Sequence, residues 1–374
     1  MNRIELPDPR VRVEGVAWTD DTPGALRPHR IGRSWTYQLA VETLFIEGMP
    51  SGARMVLATD ATSLAIECTP MRLTVGLDER PATFDLVVGD ERLASVDADF
   101  GHRVVVDLAD ESTEFTAGEA GTVEFDGLPA DLVTVEIWLP HAAGVTLHAI
   151  EVPDGCRVEA APTTERPRWI HHGSSISHCM EADGPTRTWP AVAASATGHD
   201  LVGLGFAGQC HVDQFAARTI RDLPADRISL KLGINVANAD SMNARTFPSA
   251  VHGFLDTVRE GHPDTPILVI SPIICPALET TPGPSRLGDD GRITASGNAT
   301  DLFFGRLTLE RMRELLSEIV EARRALGDER LTYLDGRELF GEDDVDDLPD
   351  GLHPNAAGYV RMGERFARHP FLSD

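Results

Sequence analysis

The chain of 374 residues exceeds the usual size of a single hydrophobic core, so we expect two domains. Its 33 basic residues against 59 acidic residues give a formal net charge of −26. A surface this acidic repels nucleic-acid phosphates and anionic membranes, and we therefore expect neither nucleic acid nor a membrane as a partner.

The N-terminal sequence and the cysteines indicate in which cellular compartment the protein is located. No stretch approaches the roughly 20 apolar residues that cross a bilayer, and residues 1–8 lack the apolar core of a signal peptide. The five cysteines are odd in number, scattered and free of any C-x-x-C pair, so zinc ribbons and disulfide scaffolds are not expected. The simplest location is the cytoplasm, with reduced thiols.

The first part of the chain, from about residue 11 to 159, is predicted to form short strands separated by turns. Residues 133–138 alternate between apolar and polar, β-branched residues are frequent, and glycine, aspartate and proline recur at close spacing. Because no helical period of useful length is present, we expect an antiparallel β-sandwich or jelly roll over residues 1–165. The predicted strands are 36–46, 54–57, 64–67, 72–75, 83–88, 103–108, 122–125, 132–138 and 145–152.

A polar segment bracketed by prolines, residues 160–168, predicts a linker. Beyond it strands alternate with helices, which predicts an α/β domain over residues 166–374 with a mostly parallel sheet between helices. The predicted strands are 169–172, 201–206, 227–232, 267–271 and 331–335. The predicted helices are 188–198, capped by Thr188 and ending at Gly198; 246–259, capped by Thr246; 307–326; and 355–368.

Ligands of such sheets bind at the carboxyl ends of the strands. After the first of these strands, residues 173–175 (Gly-Ser-Ser) can hold a hydroxyl at a helix N-terminus, where amides and the helix dipole favour developing negative charge. The alternative is a helix cap with a tight turn. After the next two strands, Gly208 can free a backbone amide and Asn235 can donate its side-chain amide. The alternative for Gly208 is a simple turn, and the alternative for Asn235 is an N-cap of the next helix.

The strongest fragment is residues 350–355, Asp-Gly-Leu-His-Pro-Asn. A histidine that acts as a base needs a carboxylate to orient it, and Asp350 lies three residues before His353, ahead of a helix that Pro354 is expected to open. The alternatives are an N-cap aspartate and a surface histidine, and most other histidines, including His171, His172 and His178, are expected to have such structural roles. Together the fragments supply a nucleophile, two amide donors and an Asp/His pair, the set required for acyl transfer.

These fragments resemble the ordered blocks of the SGNH (GDSL-type) hydrolase superfamily of esterases and acylhydrolases, over roughly residues 168–374. The resemblance implies a flavodoxin-like three-layer αβα fold with a parallel sheet, the SGNH hydrolase fold. It implies that Ser175 is the nucleophile and that His353 and Asp350 complete a catalytic triad. It further implies an oxyanion hole formed by the Ser175 N–H together with Gly208 and Asn235.

Residues 172–178, followed by Thr-Trp-Pro at 188–190, are similar to a bacterial branch of this superfamily whose members carry an N-terminal β-domain. Two positions depart from the pattern. Ser174 and Val236 stand where the family usually has aspartate. Neither replaces a reacting group, so they put substrate preference and efficiency in question rather than activity.

The expected activity is hydrolysis of a carboxylic ester with a short acyl group, such as acetyl, through an acyl-serine and without a metal or organic cofactor. The acidic surface and the β-domain favour a small neutral ester, for example an O-acetylated sugar. Three alternatives remain open: an acyltransferase that uses the same acyl-serine, a glycan-binding protein with a minor or lost hydrolase activity, and an inactive scaffold. The oligomeric state is left open, a homo-oligomer included.

Two irregular segments complete the analysis. Residues 275–300 are too long for a simple connection and are expected to form either a lip over the site or a disordered insertion. Residues 341–350 are rich in acids but lack the full spacing of a calcium-binding EF-hand loop, so we expect a solvated acidic loop.

Overall fold

The structure is a computed structural model, and it describes residues 1–75, 78–107 and 112–373. The predicted end of one strand at Leu108 lies outside these residues. The chain divides into two compact units. The first comprises Met1–Arg33, Ala40–Arg166 and Asp183–Thr186, and the second comprises Ser34–Leu39, Pro167–Ala182 and Arg187–Asp374. The domain limits of 1–165 and 166–374 stay a prediction, because compactness alone does not show that each part folds independently.

The first unit is rich in strands. In chain order they are β1 (Asn2–Glu5), β2 (Arg12–Glu14), β3 (Trp18–Thr22), β4 (Ala25–His29), β5 (Arg54–Thr59), β6 (Ser63–Val75), β7 (Asp78–Glu79), β8 (Ala82–Val88), β9 (Glu91–Ala98), β10 (His102–Asp107), β11 (Ser112–Thr116), β12 (Gly121–Asp126), β13 (Val133–Trp138), β14 (Ala143–Val152) and β15 (Val158–Glu159). Helix α1 (Val41–Glu47) lies between β4 and β5.

These strands form two sheets that share one hydrophobic core. One sheet has the order β11-β10-β6-β14-β4-β3, with β1 beside β14 and both β12 and β7 beside β6; the other has the order β15-β5-β13-β8-β9, with β2 beside β5. The core contains Ile66 and Leu147 from the first sheet and Leu57 and Leu86 from the second. The predicted β-sandwich is confirmed, with one difference: β10 runs parallel to β6, whereas the other pairs described are antiparallel.

The predicted strand at residues 36–46 is wrong. Residues Arg33–Gln38 form a 3₁₀ helix and α1 follows at Val41–Glu47. On α1 only Thr43, Ile46 and Glu47 are buried, so a helix of seven residues leaves too few buried positions for its period to be distinguished from alternation. The buried carboxylate of Glu47 accepts a hydrogen bond from the Arg30 backbone N–H at 3.1 Å, a contact between distant residues that local patterning does not reveal.

The second unit alternates strands and helices. Its elements are β16 (Arg168–Gly173), α2 (Ser175–His178), α3 (Trp189–Thr197), β17 (Asp200–Gly205), α4 (Gln214–Asp222), β18 (Arg227–Lys231), α5 (Ile234–Ala239), α6 (Thr246–Gly261), β19 (Ile267–Ile270), β20 (Ser285–Leu287), β21 (Ile293–Ala295), α7 (Ala299–Phe303), α8 (Leu309–Ala325), β22 (Leu331–Leu334) and α9 (Ala356–Ala367). Strands β20 and β21 form a separate two-stranded hairpin.

The main sheet has the strand order β17-β16-β18-β19-β22, and all of its neighbours are parallel. This is the flavodoxin-like order, so the predicted α/β fold is confirmed. The chain moves from β16 to β17 on one side and returns to β18 on the other. In such a sheet a crevice opens at the carboxyl ends of the two strands where the direction reverses, here β16 and β18.

The helix ends follow local capping rules in most cases. Thr188 caps α3 by accepting a hydrogen bond from the Ala191 N–H, and Gly198 ends that helix with a φ of +71°. The predicted cap at Thr246 is wrong by one position, because Thr246 is the first residue of α6 and Arg245 is its N-cap. None of the helices in the described ranges has the length and apolar character to cross a membrane.

Candidate active site

Ser175 lies where β16 passes into α2. It is the first residue of this short helix, and Ser174 is the N-cap, whose side chain accepts a hydrogen bond from the Ile176 N–H at 3.3 Å. The serine in place of the family's aspartate therefore has a capping role. Ser175 is partly exposed, while Ser174 and Ile176 are fully buried. The backbone N–H of a first helical residue has no partner within its helix and can face a ligand.

Two glycines permit the close packing around this turn. A Cβ on Gly173 would lie 2.3 Å from the Ser177 Oγ, and a Cβ on Gly205 would lie 2.4 Å from the His178 backbone nitrogen. The ends of β16 and β17 can therefore approach α2 only because neither glycine has a side chain.

Asp350 and His353 lie on the loop between β22 and α9. One carboxylate oxygen of Asp350 accepts hydrogen bonds from the backbone N–H groups of Leu352 at 2.8 Å and His353 at 2.7 Å. The other lies 2.6 Å from His353 Nδ1. Asp350 is thus not a helix cap. Helix α9 begins at Ala356, one residue after the predicted start at Asn355, which is its N-cap; Pro354 therefore precedes the cap and does not open the helix.

The structure brings His353 to Ser175 across 178 positions of sequence, with His353 Nε2 lying 2.8 Å from Ser175 Oγ. Burial alone would raise the pKa of Asp350, but hydrogen bonds from the His353 side chain and two backbone amides outweigh it and lower that pKa to about 2. Because an ionised carboxylate only accepts hydrogen bonds, Nδ1 of His353 carries a proton and, in the neutral ring, Nε2 is left as an acceptor for the serine hydroxyl.

Gly208 and Asn235, the predicted amide donors, are tied to each other through the loop that follows β17. In this 206–211 loop, the Cys210 N–H donates to Asn235 Oδ1 at 3.0 Å. The N-cap of α5 is Gly233, so the alternative role of Asn235 as a cap does not hold. Since the amide oxygen is engaged, its Nδ2 group is the part that can donate elsewhere. Gly208 has a φ of +70°, a conformation that favours glycine.

Three histidines without a predicted role in chemistry hold this neighbourhood in place. His178, on α2, accepts at Nδ1 from the Ala207 N–H at 3.3 Å. His211 Nε2 lies 3.1 Å from the Gly208 carbonyl oxygen, and His172 Nε2 lies 3.5 Å from Cys210 Sγ. A glycine-rich loop in the sequence gives no sign of these contacts, because each joins the loop to a side chain whose direction depends on the fold.

The irregular segment after β19 reaches the same loop. The Ile293 N–H, at the start of β21, donates to the carbonyl oxygen of Asp350 at 2.6 Å. The hairpin β20–β21 therefore contacts the backbone that carries the candidate carboxylate, as expected for a lip at the site.

The acidic run at residues 341–350 is not a freely solvated loop. Asp344 is buried and accepts hydrogen bonds from Arg361 and Arg365 of α9, and Asp347 is bonded to Arg361 and Asn355. No group of three or more histidine, cysteine or acidic side chains able to hold a metal ion occurs in the portion of the chain that the structure describes.

Comparison with known proteins gives consistent results. The model of the GDSL-like lipase/acylhydrolase family matches residues 172–361, slightly more than half of the chain. No curated protein matches this sequence. Among solved structures, the salicylyl-acyltransferase SsfX3 from a tetracycline biosynthetic pathway is 29% identical, with a TM-score of 0.79 over 97% of this chain and 95% of that one.

Two further structures share the fold at lower identity. A protein from Bacteroides ovatus described as a GDSL-like lipase is 19% identical, with a TM-score of 0.69 over 98% of this chain and 96% of that one. An active-site mutant of a family two carbohydrate esterase from Clostridium thermocellum is 13% identical, with a TM-score of 0.62 over 96% of this chain and 97% of that one. The matches to full-length structures extend through the N-terminal strands as well as the parallel sheet.

Proposed function

Because the chain belongs to the GDSL-like lipase/acylhydrolase family, we propose that it is a serine esterase that hydrolyses a carboxylic ester of a short acyl group through an acyl-serine intermediate. One observation carries the proposal: Ser175 Oγ lies 2.8 Å from His353 Nε2, and His353 Nδ1 lies 2.6 Å from Asp350. A hydroxyl, an imidazole and a carboxylate linked in this order are the arrangement that activates a serine.

In the first half of the reaction, Ser175 Oγ attacks the ester carbonyl while His353 Nε2 takes the hydroxyl proton. Asp350 keeps the proton on Nδ1 and stabilises the imidazolium that forms. The tetrahedral intermediate collapses, the bond to the alcohol oxygen breaks, and His353 returns the proton to that leaving oxygen. The products of this half are a free alcohol and the acyl-serine.

The negative charge that develops on the carbonyl oxygen needs donors already in place. We assign this role to the backbone N–H of Ser175, the backbone N–H of Gly208 and the side-chain amide of Asn235. The hydrogen bond from Cys210 to Asn235 Oδ1 supports the assignment, because it engages the amide oxygen and leaves Nδ2 as the end that can donate to a substrate.

In the second half, a water molecule takes the place of the alcohol. His353 removes a proton from the water as it attacks the acyl carbon, the same donors stabilise the second oxyanion, and collapse returns the proton to Ser175 Oγ. The carboxylic acid leaves and the resting triad is restored.

The proposal predicts that Ser175→Ala abolishes nearly all turnover of p-nitrophenyl acetate, because no other group replaces the nucleophile. Removal of the serine from such a unit lowers kcat by on the order of 10⁶-fold. The measurement is steady-state hydrolysis monitored by p-nitrophenolate release, together with labelling by a fluorophosphonate probe.

Ser177→Ala is a matched control, since it makes the same change two positions along α2, where the hydroxyl is bonded to His171 instead of His353. It should keep both turnover and labelling. Full activity or full labelling of Ser175→Ala would move the nucleophile to another residue and overturn the proposal.

An acyltransferase is the second candidate, and the 29% identity with a salicylyl-acyltransferase over nearly the whole chain favours it. In that case an acceptor hydroxyl, instead of water, attacks the same acyl-serine. Adding acceptor alcohols to the esterase assay and measuring the ratio of new ester to free acid separates the two. An ester fraction that rises steeply at millimolar acceptor supports transfer, while a ratio set only by the molar excess of water supports hydrolysis.

The substrate class and location complete the proposal. An O-acetylated carbohydrate is the first class to assay, because a chain with a net charge of −26 favours a neutral substrate over an anionic one. We propose the cytoplasm as the location, since all five cysteines are unpaired and four of them are buried. A screen of acetyl, butyryl and octanoyl esters with acetylated sugars tests the acyl and alcohol preferences together.

A further inference from the structure

Cys210 occupies an unusual position between the two predicted amide donors. It lies two residues after Gly208 in the 206–211 loop, and its backbone N–H holds Asn235 Oδ1. Its side chain is 1% exposed and lies 3.5 Å from His172 Nε2, with the Lys231 carbonyl oxygen farther away at 3.9 Å. A displacement of Cys210 would therefore displace both the 206–211 loop and the side-chain amide of Asn235.

The protonation of this buried contact follows from its partners. His172 Nδ1 lies 2.8 Å from the Leu204 carbonyl oxygen, which only accepts, so Nδ1 carries the proton. Burial lowers the pKa of His172 to about 4, and the ring is neutral. Its Nε2 is then an acceptor. Burial also raises the pKa of the Cys210 thiol to about 12, so the sulfur keeps its hydrogen and donates it to Nε2.

The histidine itself is rigidly held. Its ring stacks on Phe254 of α6, with centroids 5.6 Å apart and planes inclined by 10°. Leu204, whose carbonyl oxygen accepts the hydrogen bond from His172 Nδ1, belongs to the fully buried end of β17. A ring fixed by a strand on one edge and an aromatic face on the other gives the thiol a stationary acceptor.

From these contacts we infer that Cys210 and His172 are positioning residues, which hold the 206–211 loop so that Asn235 and Gly208 present their amides to the substrate carbonyl oxygen. The inference rests on the proposed function, since it assigns these residues to the same oxyanion hole. Neither residue touches the reacting atoms in this scheme. They act by fixing the donors before the charge develops, the condition under which such donors lower a barrier most.

A double-mutant cycle tests the inference. Removing an oxyanion donor typically lowers kcat by about 100- to 1,000-fold, and Asn235→Ala is expected in that range. Cys210→Ala should lower kcat for p-nitrophenyl acetate by roughly 10-fold, because it displaces the donors without removing them. KM should change by less than about twofold. In the Asn235→Ala background, Cys210→Ala should lower kcat by clearly less than in the parent, because one of the two amides that it positions is gone and only the Gly208 N–H remains.

Conservative and remote variants complete the design. Cys210→Ser keeps a hydrogen-bond donor and should retain most of the parent's kcat. Cys210→Val fills the site without donating a hydrogen bond and should have a kcat similar to that of Cys210→Ala. If the alanine variant fails to fold, the valine variant takes its place in the cycle. Cys68→Ala is the matched control, since Cys68 is equally buried but belongs to β6 of the sandwich. It should leave kcat unchanged.

Hydrogen exchange of a peptide covering the 206–211 loop gives a readout that does not depend on turnover. Cys210→Ala should speed exchange there, and Cys68→Ala should not. Additive effects in the cycle, or unchanged exchange, would overturn the positioning role. An enzyme whose turnover does not depend on Ser175 would instead overturn the proposed function, and the exchange measurement would still show whether Cys210 holds the 206–211 loop.

Discussion

At the scale of single residues, the clearest anomaly is Lys231, the only lysine in the chain. It ends β18 and is 1% exposed, and its ammonium nitrogen has no hydrogen-bond partner among the residues that the structure describes. Burial lowers its pKa to about 8. A buried charge without a partner destabilises the folded state.

We therefore predict that Lys231→Met stabilises the protein at pH 7. A shift from 10.5 to about 8 corresponds to a penalty on the order of 3 kcal/mol. Because the folded-state pKa of this base is lowered, the full penalty applies below pH 8. It is relieved between pH 8 and 10.5, where the folded state has released a proton that the unfolded state still binds. Chemical denaturation at several pH values measures the difference between variant and parent.

Arg313→Met is the matched control for this change. Arg313 is 4% exposed, but its guanidinium donates two hydrogen bonds to the Glu279 carboxylate, at 2.6 and 2.9 Å. Removing it leaves that carboxylate without its counter-charge, so the variant should lose stability. A Lys231→Met protein that is less stable than the parent at pH 7 would contradict the expected penalty.

From the sequence, candidate site residues could be chosen only by their type and by their position at the ends of predicted strands. Those criteria pointed to Ser175 and His353, which the structure brings within 2.8 Å of each other, while their catalytic roles stay a prediction. They did not point to His172 or Cys210. These two residues lie 38 positions apart, and their contact depends on how the ends of two strands pack, which residue types do not specify.

At the scale of elements, the acidic run and α9 form one ion-paired unit. Asp344 accepts from Arg361 and Arg365 and also from the Gly341 N–H. Burial alone would raise the pKa of Asp344, but the hydrogen bonds outweigh it and the pKa lies below its ordinary value. The run is therefore a structural attachment for the helix that follows His353.

Asp344→Asn should accordingly destabilise the protein at pH 7, by about 1.5–3 kcal/mol, the range for hydrogen bonds to charged groups. Because the folded-state pKa of this acid is lowered, its contribution is complete above pH 3.8 and declines as the pH falls below that value. Denaturant unfolding of parent and variant at pH 7 and near pH 3.5 measures this change.

Asp343→Asn supplies the comparison, since Asp343 is the exposed neighbour in the same run. It should change stability by less than about 0.5 kcal/mol. Equal effects of the two substitutions would show that overall charge, and not the contacts of Asp344, determines the stability of this segment.

Elements were predicted well where the strand is buried on both faces, and poorly where only a few positions of a short element are buried. Strands β17 and β19 are buried over nearly their whole length and were found to within a residue or two. The segment around α1 was predicted wrongly, because contacts such as the one between Glu47 and the Arg30 backbone join residues that are distant in the sequence. The parallel pair of β6 and β10 likewise could not be inferred, since alternation is the same for either strand direction.

At the scale of the whole molecule, like-charge repulsion and ion pairing oppose each other. The chain has 26 more acidic than basic residues, and many of its arginines contact carboxylates at the surface. Exposed ion pairs contribute only about 0–1 kcal/mol each, and salt weakens them. The excess negative charge repels itself over longer distances, and salt weakens this repulsion as well, because the screening length falls from about 10 Å at 0.1 M to about 3 Å at 1 M.

Because acidic residues outnumber basic residues by 26, we expect the repulsion to be the larger of the two effects. The midpoint of thermal unfolding should then rise by a few degrees between about 0.05 M and 1 M sodium chloride, equivalent to roughly 1–2 kcal/mol. A variant with Asp343→Asn and Asp346→Asn, both exposed, removes two charges without breaking a described ion pair. It should have a higher midpoint at low salt and a smaller rise with salt. A midpoint that falls as salt is added would show instead that the ion pairs are the stronger term.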